Sequence, residues 1–259
     1  MESTKGQVRR VLPISLTFCL LWFLANYFYN YGLLYASITS SVILANTSSA
    51  WVFLLNISCL VPVTGRQKFD WLCALMILVS LTGFALIAVE DRHEESSEID
   101  HPVLGDVVSL LSAMMYALYA TYLKIKVPEH EESQFKFSYF LGFVGLCNDV
   151  ILIPLLIIFD VTGFESFEWP PKETFLLLSV NAFFGNFVSD YCWGKSVILL
   201  GPLVTTLGLT LTFPLSAIFD ALVNGAEFTW LYFLGSVLIF AAFGIIFTVD
   251  WRKKRKLEK

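Results

Sequence analysis

Eight stretches of this sequence are predominantly apolar over about 20 residues, and this feature decides what the chain can fold into. A helix of about 20 residues crosses the roughly 30 Å hydrocarbon core of a bilayer with its backbone hydrogen bonds satisfied internally. The composition agrees, because 56% of the 259 residues are hydrophobic and only 15% are charged. The apolar runs cover residues 11–34, 38–62, 69–89, 103–125, 137–160, 173–200, 201–223 and 229–250. We therefore predict an all-α polytopic membrane protein with about eight transmembrane helices.

Positive charges are distributed unevenly between the loops. Cytosolic loops of membrane proteins collect Lys and Arg. If both termini are cytosolic, all 17 Lys and Arg residues except Arg92, Lys172 and Lys195 fall on the cytosolic side. The two longer loops on the far side, residues 89–102 and 160–173, are acidic. The charge distribution therefore predicts an integral, multi-pass protein with both termini in the cytosol.

Several functional classes lack their usual signals. The five cysteines all lie in apolar runs, so neither a disulfide framework nor a zinc site is indicated. A glycine-rich phosphate loop, an HExxH motif and a GxSxG motif are absent from the sequence. We expect no enzymatic activity, no metal, no cofactor and no nucleic-acid partner. The expected partners are the lipid bilayer and a small-molecule substrate.

Two segments of the chain resemble each other. Residues 26–36 read NYFYNYGLLYA and residues 186–196 read NFVSDYCWGKS. Aligned, they share an amide at the start and a tyrosine five residues later, and pair Asn26 with Asn186, Asn30 with Asp190, and Tyr31 with Tyr191.

The following spans correspond as well. SSVILANTSSAWVFLL matches GPLVTTLGLTLTFPLSAI, and two spans that begin with Trp-Leu at Trp71 and Trp230 form a third pair. Spans one to three therefore repeat as spans six to eight. Because a displacement by five spans is odd, the copies cross the membrane in opposite directions. Inverted repeats of this kind are typical of secondary transporters, whose substrate site lies near the midplane.

The segments FLANYFYNYGLLYAS, GDVVSLLSAMMYALYATYLK, YFLGFVGL and LTLTFPLSAIFD carry a family resemblance that extends over essentially every span. The chain resembles the drug/metabolite transporter superfamily (EamA-like), and within it the F subfamily of solute carrier family 35. This resemblance implies an inverted-repeat helical bundle of ten helices in two sets of five, located in a vacuolar, lysosomal or Golgi membrane rather than the plasma membrane. The sequence begins at what corresponds to the family's third span. Residues 1–102 are then a partial first repeat of about three spans, and residues 103–259 a complete second repeat of about five spans with a basic cytosolic tail.

The candidate substrate site follows from two polar stripes. Asn186 and Asp190, four residues apart, share one helix face, and Asn26 and Asn30 form the matching stripe of the first copy. An ionised carboxylate that faced lipid at this depth would cost several kcal/mol, so we expect Asp190 to face the bundle interior. The family segment carries an acidic residue at this position. We predict that Asp190 binds a cation or carries a proton, the alternative being a structural hydrogen bond to a neighbouring helix.

Further candidates have weaker signals. Lys195 is expected either to contact an anionic substrate or to extend to the cytosolic interface. Asp149 is a second candidate for proton coupling, although the family segment is apolar there. Tyr31 and Tyr191 are candidates for stacking on a flat substrate ring, with interfacial packing as the alternative. Pro214, inside the seventh span, is a candidate hinge or a tolerated kink.

The function that we predict is secondary-active transport of a small organic solute, such as a nucleotide-sugar, vitamin or nucleobase-like compound. The two inverted halves would alternate access to the cavity without ATP. The alternatives are a non-transporting membrane scaffold or receptor, and an inactive fragment of such a transporter. A homodimer is a further possible assembly.

Overall fold

The computed structural model of the chain describes residues 4–58, 70–90, 102–128, 135–163, 169–224 and 229–257. Every regular element in these ranges is helical. The elements are α1 (Thr4–Tyr35), α2 (Ile38–Asn46), α3 (Ser48–Ile57), α4 (Trp71–Glu90), α5 (Pro102–Lys126), α6 (Phe137–Thr162), α7 (Lys172–Val180), a π-helix (Asn181–Val188), α8 (Ser189–Leu200), α9 (Pro202–Thr210), α10 (Thr212–Asn224) and α11 (Trp230–Leu257).

The helices confirm the all-α membrane architecture. Among the described residues, seven helical stretches are long and apolar enough to cross a bilayer. They correspond to seven of the eight predicted spans. The remaining predicted span, residues 173–200, is covered by α7, the π-helix and α8, which follow one another without a gap.

The second predicted span is divided into α2 and α3 at Thr47. The Thr47 hydroxyl donates to the Leu44 carbonyl at 2.6 Å, and the Asn46 amide donates to the Val42 carbonyl at 2.8 Å. Side chains that bond back to helix carbonyls compete with the backbone ladder and bend helices. These two side chains therefore account for the break.

The seventh predicted span is likewise divided, into α9 and α10 at Leu211. Pro214 has no N–H and cannot bond the carbonyl of Thr210, four residues earlier. The Leu211 N–H instead reaches the Gly208 carbonyl at 3.2 Å, one residue short of the α-helical partner. The two spans that pair in the predicted repeat thus both break in their interior.

The helices form two compact units, and each takes residues from both predicted repeats. The first unit comprises Met1–Leu20 and Lys126–Leu199, and the second comprises Leu21–Ile125 and Leu200–Lys259. The division into repeats at residue 102 therefore stays a prediction.

The centre of the second unit is the crossing of α4 and α11 at Gly83 and Gly235. A Cβ atom on Gly83 would lie 2.7 Å from the Gly235 carbonyl oxygen, so the two backbones touch. Ile239 beside this contact is fully buried. Small residues permit this close approach of membrane helices, where packing rather than water exclusion drives association.

The predicted inverted repeat implies a second contact between the same two helices. Aligning Trp71 with Trp230 places Gly83 opposite Ala242 and Met76 opposite Gly235. The Gly83–Gly235 contact then has an Ala242–Met76 counterpart, and Met76 and Ala242 do lie in one buried cluster. The packing of α4 on α11 thus agrees with a local two-fold relation.

An ion pair joins the ends of α4 and α11 that are predicted to be cytosolic. Lys253 Nζ lies 2.7 Å from Asp70 Oδ2, and Asp70 Oδ1 accepts the Leu72 N–H at 3.1 Å, at the start of α4. The hydrogen bond from Lys253 lowers the pKa of the Asp70 carboxyl below its usual value. Asp70 therefore stays ionised as both a helix cap and a partner for Lys253.

Small residues also bring α1 and α5 together in the second unit. The Ser112 hydroxyl donates to the Ala25 carbonyl at 2.8 Å. A side chain on Gly32 would strike Ser109, and one on Gly105 would strike Ala36. The second half of α1 therefore packs closely against α5.

In the first unit, the first half of α1 packs on α6. Phe18 meets Phe140 edge to face with the ring centroids 5.0 Å apart, and the Ser15 hydroxyl donates to the Phe140 carbonyl at 3.2 Å. Most of α6 is nevertheless exposed, and α7 and the π-helix bury no residue. These exposed faces are mostly apolar, as expected of helices in a bilayer, although Asp149 of α6 and Asn186 of the π-helix are exposed as well.

Candidate functional site

The predicted site residues are divided between the two units. Asn26, Asn30 and Tyr31 on α1 and Pro214 on α10 belong to the second unit. The first unit contains the others, which are Asp149, Asn186, Asp190, Tyr191 and Lys195.

The two asparagines of α1 lie on its exposed surface. Asn26 Nδ2 donates to the Trp22 carbonyl and Asn30 Nδ2 to the Asn26 carbonyl, each at 2.8 Å. These bonds turn one amide hydrogen of each residue toward the helix. The residues that the structure describes offer no donor to either side-chain oxygen, so this face presents two hydrogen-bond acceptors.

Tyr31 is part of an aromatic ladder that runs along α1 at four-residue spacing. Successive ring centroids of Phe23, Tyr27, Tyr31 and Tyr35 are 6.2, 6.0 and 5.0 Å apart, and the first two pairs are stacked. Tyr27 is 52% exposed. Tyr31 is a predicted site residue and Phe23 is not. The regular spacing of four nevertheless predicts the whole ladder, with Phe23 as its first ring. The ladder gives α1 an accessible ring surface beside the two asparagines.

Asp190 is the first acidic group of α8. Its side chain is half-buried, and within the described ranges its carboxylate has no hydrogen-bond or ion-pair partner. An unpaired carboxylate in an apolar span is costly to maintain, so a bound cation or a proton would stabilise it. The binding role of Asp190 and the alternative structural hydrogen bond both stay predictions.

Asn186 lies inside the π-helix that precedes α8. It is exposed, whereas Asp190 is half-buried. A π-helix has a wider turn than an α-helix, so the four-residue spacing places the two side chains less directly above one another than predicted. Their common stripe stays a prediction. Short π-helical stretches occur frequently at functional sites, and no pattern in the sequence indicated this one.

Aromatic contacts fix the helix around Asp190 in the first unit. Tyr191 meets Phe137 edge to face with the centroids 5.5 Å apart, and Trp193 packs against Phe18 at 6.1 Å. The buried Gly194 leaves room for the Phe137 ring. Lys195 is half-buried and interacts with neighbouring groups. Tyr191 thus makes a packing contact with Phe137.

Asp149 lies on the exposed surface of α6. Nothing lies within 4 Å of a side chain that would be added at Gly142 or Gly145, which precede it on the same helix face. Asp149 therefore occupies an open surface, in contrast to the half-buried position of Asp190.

Pro214 is fully buried beside the break at Leu211. The neighbouring Phe213 carbonyl accepts the Tyr232 hydroxyl at 3.2 Å, which ties the start of α10 to α11. Pro214 also lines a largely apolar groove of about 320 Å³ between α10 and α11. The lining of this groove begins at Pro214 and includes no residue of the break at Leu211, so the hinge stays a prediction.

Curated relatives match nearly the whole chain. The thiamine-repressible mitochondrial transport protein THI74 of Saccharomyces cerevisiae is 35% identical over 254 residues, covering 98% of this chain and 66% of the relative. Solute carrier family 35 member F5 of Bos taurus is 33% identical over 236 residues, covering 91% of this chain and 44% of the relative. The uncharacterized transporter C405.03c of Schizosaccharomyces pombe is 33% identical over 242 residues, covering 92% of this chain and 69% of the relative.

This chain thus spans between about half and two thirds of the length of these relatives. No family model matches the sequence. A solved crystal structure superposes with a TM-score of 0.64 at 14% identity, covering 99% of this chain and 92% of the other, and this likeness shows the fold alone.

Proposed function

Because the chain belongs to the F-type transporters of solute carrier family 35, we propose that it moves a small organic solute across a membrane by secondary-active transport. Its relatives are named as transporters, which points away from enzymatic activity. The alternative is a scaffold, receptor or inactive fragment that keeps the fold without transport.

The observation that carries the proposal is the pair of interrupted helices. Discontinuous helices at corresponding positions of two inverted halves are the usual markers of a transport site, because their broken backbones line the cavity. The breaks at Thr47 and Leu211 fall in spans that pair in the repeat. Both belong to the second unit, where α3 and α9 share a buried cluster through Phe53 and Leu207.

We propose recognition groups in each of the two units, taken separately. The carboxylate of Asp190 supplies charge, with Asn186 and Tyr191 beside it. Asn26 and Asn30 supply amide oxygens, and the α1 aromatic ladder supplies ring faces that suit a planar solute. Asp190 is also the group that would exchange a proton during the cycle, while Asp149, on its open surface, is the second candidate.

The α4–α11 pair would serve as the fixed support of the cycle. Its backbones touch at Gly83 and Gly235, which leaves no room for sliding. The half-helices α2, α3, α9 and α10 would tilt about their breaks against this support. A solute gradient, a proton gradient or exchange against a second solute would drive the movement without ATP.

The location that we propose is an intracellular membrane, vacuolar, lysosomal or Golgi, with both termini in the cytosol. The family resemblance and the charge distribution support this assignment. Cysteines placed one at a time in the tail and in the acidic loops, then labelled from outside sealed vesicles, would establish the orientation.

Uptake into proteoliposomes tests the function. Vesicles that contain the purified chain would be preloaded with a mixture of unlabelled nucleotide-sugars, vitamins and nucleobases, and then offered each labelled compound in turn. Accumulation above that in protein-free vesicles supports transport. If every compound behaves as in protein-free vesicles while a soluble protein copurifies in a fixed ratio, the scaffold reading replaces the proposal.

Pro214 provides a prediction for the hinge. Pro214→Ala restores an N–H that can bond the Thr210 carbonyl, so we expect a straighter α9–α10 segment and roughly a tenfold slower uptake, corresponding to a barrier higher by about 1.4 kcal/mol. Uptake rates of the variant and the wild-type chain check this. Pro154→Ala is the matched control, because α6 continues through Pro154 without a break. Equal rates in wild type and Pro214→Ala would remove Pro214 from the cycle.

A further inference from the structure

We propose that the end of α11 binds the phosphorylated headgroup of a phosphoinositide lipid, through the guanidinium groups of Arg252 and Arg255. This site goes beyond the proposed transport function. It depends on the predicted orientation, which places the tail WRKKRKLEK at the cytosolic face.

The helical geometry brings the two arginines together. The helix α11 continues to Leu257, beyond the apolar part that ends near Asp250. Arg252 and Arg255 are both exposed and, three residues apart on a helix, lie on one face with their Cβ atoms roughly 5–6 Å apart. Two long side chains that start this close together can both reach one headgroup, at two of its phosphate groups or at two oxygens of one phosphate.

Trp251 sets the depth of this face. It is 51% exposed, and the Arg255 guanidinium lies over its ring at 4.8 Å from the centroid. Tryptophan side chains concentrate at the headgroup level of membranes. The cation–π contact therefore holds Arg255 at the level where lipid phosphates lie.

Lys253 differs from its neighbours. Its ammonium is held by Asp70 at 2.7 Å and lines a small pocket together with Asp250. Two carboxylates next to this lysine make the pocket unfavourable for an anion. A lipid phosphate is therefore expected on the outer face, at Arg252 and Arg255, and not at Lys253.

The chemistry favours a phosphoinositide over a singly charged lipid. Guanidinium groups form paired hydrogen bonds to phosphate oxygens, a geometry that lysine does not provide. Basic clusters immediately cytoplasmic of a membrane helix attract phosphoinositides and other anionic lipids. The alternative is that the basic residues only set the orientation of α11 in the membrane. That role requires positive charge alone and predicts no preference among anionic lipids.

The experiment uses the full chain in phosphatidylcholine nanodiscs and a fluorescent, water-soluble dioctanoyl phosphatidylinositol 4,5-bisphosphate. We expect saturable binding that Arg252→Gln/Arg255→Gln weakens by roughly fivefold for each charge removed. Arg9→Gln/Arg10→Gln, which removes two charges from the same predicted side, is the matched control and should change the affinity less than twofold. Unchanged melting temperatures would establish that both double variants remain folded.

Competition separates the possible sources of phosphate. Dioctanoyl phosphatidylinositol 4,5-bisphosphate without the dye should displace the probe, while inorganic phosphate and dioctanoyl phosphatidylserine should not at the same concentration. Equal displacement by phosphatidylserine, or an equal loss of affinity in the two double variants, would show that the tail attracts anionic lipids by positive charge alone. Either result would overturn the proposal. Displacement by inorganic phosphate would identify a free-anion site and overturn it as well.

Discussion

Replacement of Asp190 by asparagine is expected to lower gradient-driven solute uptake by roughly tenfold to a hundredfold. Asparagine keeps the size of the side chain but removes the charge and the titratable proton. Loss of a charge-assisted interaction of this kind costs about 1.5–3 kcal/mol. Since the carboxylate has no partner within the described ranges, its removal should not destabilise the fold.

Two assays on the same proteoliposomes separate the possible roles of Asp190. If the carboxylate carries a proton, Asp190→Asn should lose uptake driven by a pH gradient and keep exchange of labelled for unlabelled solute. If it contacts the solute directly, both activities should fall together. The conservative variant Asp190→Glu, which retains the charge, should recover part of either activity.

A normal rate of uptake in Asp190→Asn would contradict the assignment and leave Asp149 as the next residue to test. A lowered melting temperature with proportionally lowered uptake would identify Asp190 as a structural residue. The melting curve in detergent is therefore measured on each preparation that is used for transport.

Addition of a single methyl group at the crossing of α4 and α11 should have the largest effect on stability. In Gly83→Ala the new Cβ would lie 2.7 Å from the Gly235 oxygen and 2.9 Å from the Leu238 Cβ. A backbone oxygen in a helix cannot turn aside, so the two helices must separate. Overpacking of this kind costs about 1–3 kcal/mol, which should appear as a clearly lower midpoint of denaturant-induced unfolding.

Gly244→Ala on α11 is the matched control, because nothing lies within 4 Å of a side chain at that position. There alanine should be neutral or stabilising by up to about 1 kcal/mol, since it favours the helix over the unfolded chain. If Gly83→Ala and Gly244→Ala unfold at the same midpoint, the close crossing does not exist in the folded protein.

The spans could be predicted from the sequence because hydrocarbon thickness imposes a length on every crossing helix. The break at Leu211 has a local cause, the missing N–H of Pro214, and was partly foreseen as a kink. The break at Thr47 was not, because Asn46 and Thr47 are ordinary helix residues until their side chains bond back to the carbonyls. Hydropathy contains no information on such bonds.

The candidate site was predictable to a similar degree. A charged side chain in an apolar span is recognisable from the sequence, because its transfer into the bilayer costs free energy. Asp190 is such a residue. The π-helix next to it arises where bonds between residues five apart replace the α-helical bonds between residues four apart. No residue type in this segment predicts that replacement. The distribution of the site residues over two packing units also depends on contacts between distant parts of the chain, such as Phe18 with Phe140.

The π-helix has a consequence for the way in which this protein can vary between species. In a π-helix the backbone hydrogen bonds join residues five apart instead of four. The segment can therefore contain one additional residue while the α-helices on both sides keep their own hydrogen bonds. Loss of one residue between Asn181 and Val188 would convert the segment to α-helix and leave α7 and α8 intact. We therefore expect orthologues with one residue fewer in this segment, and no single-residue change of length in the other membrane helices, where each would rotate half of a packed face by about 100°.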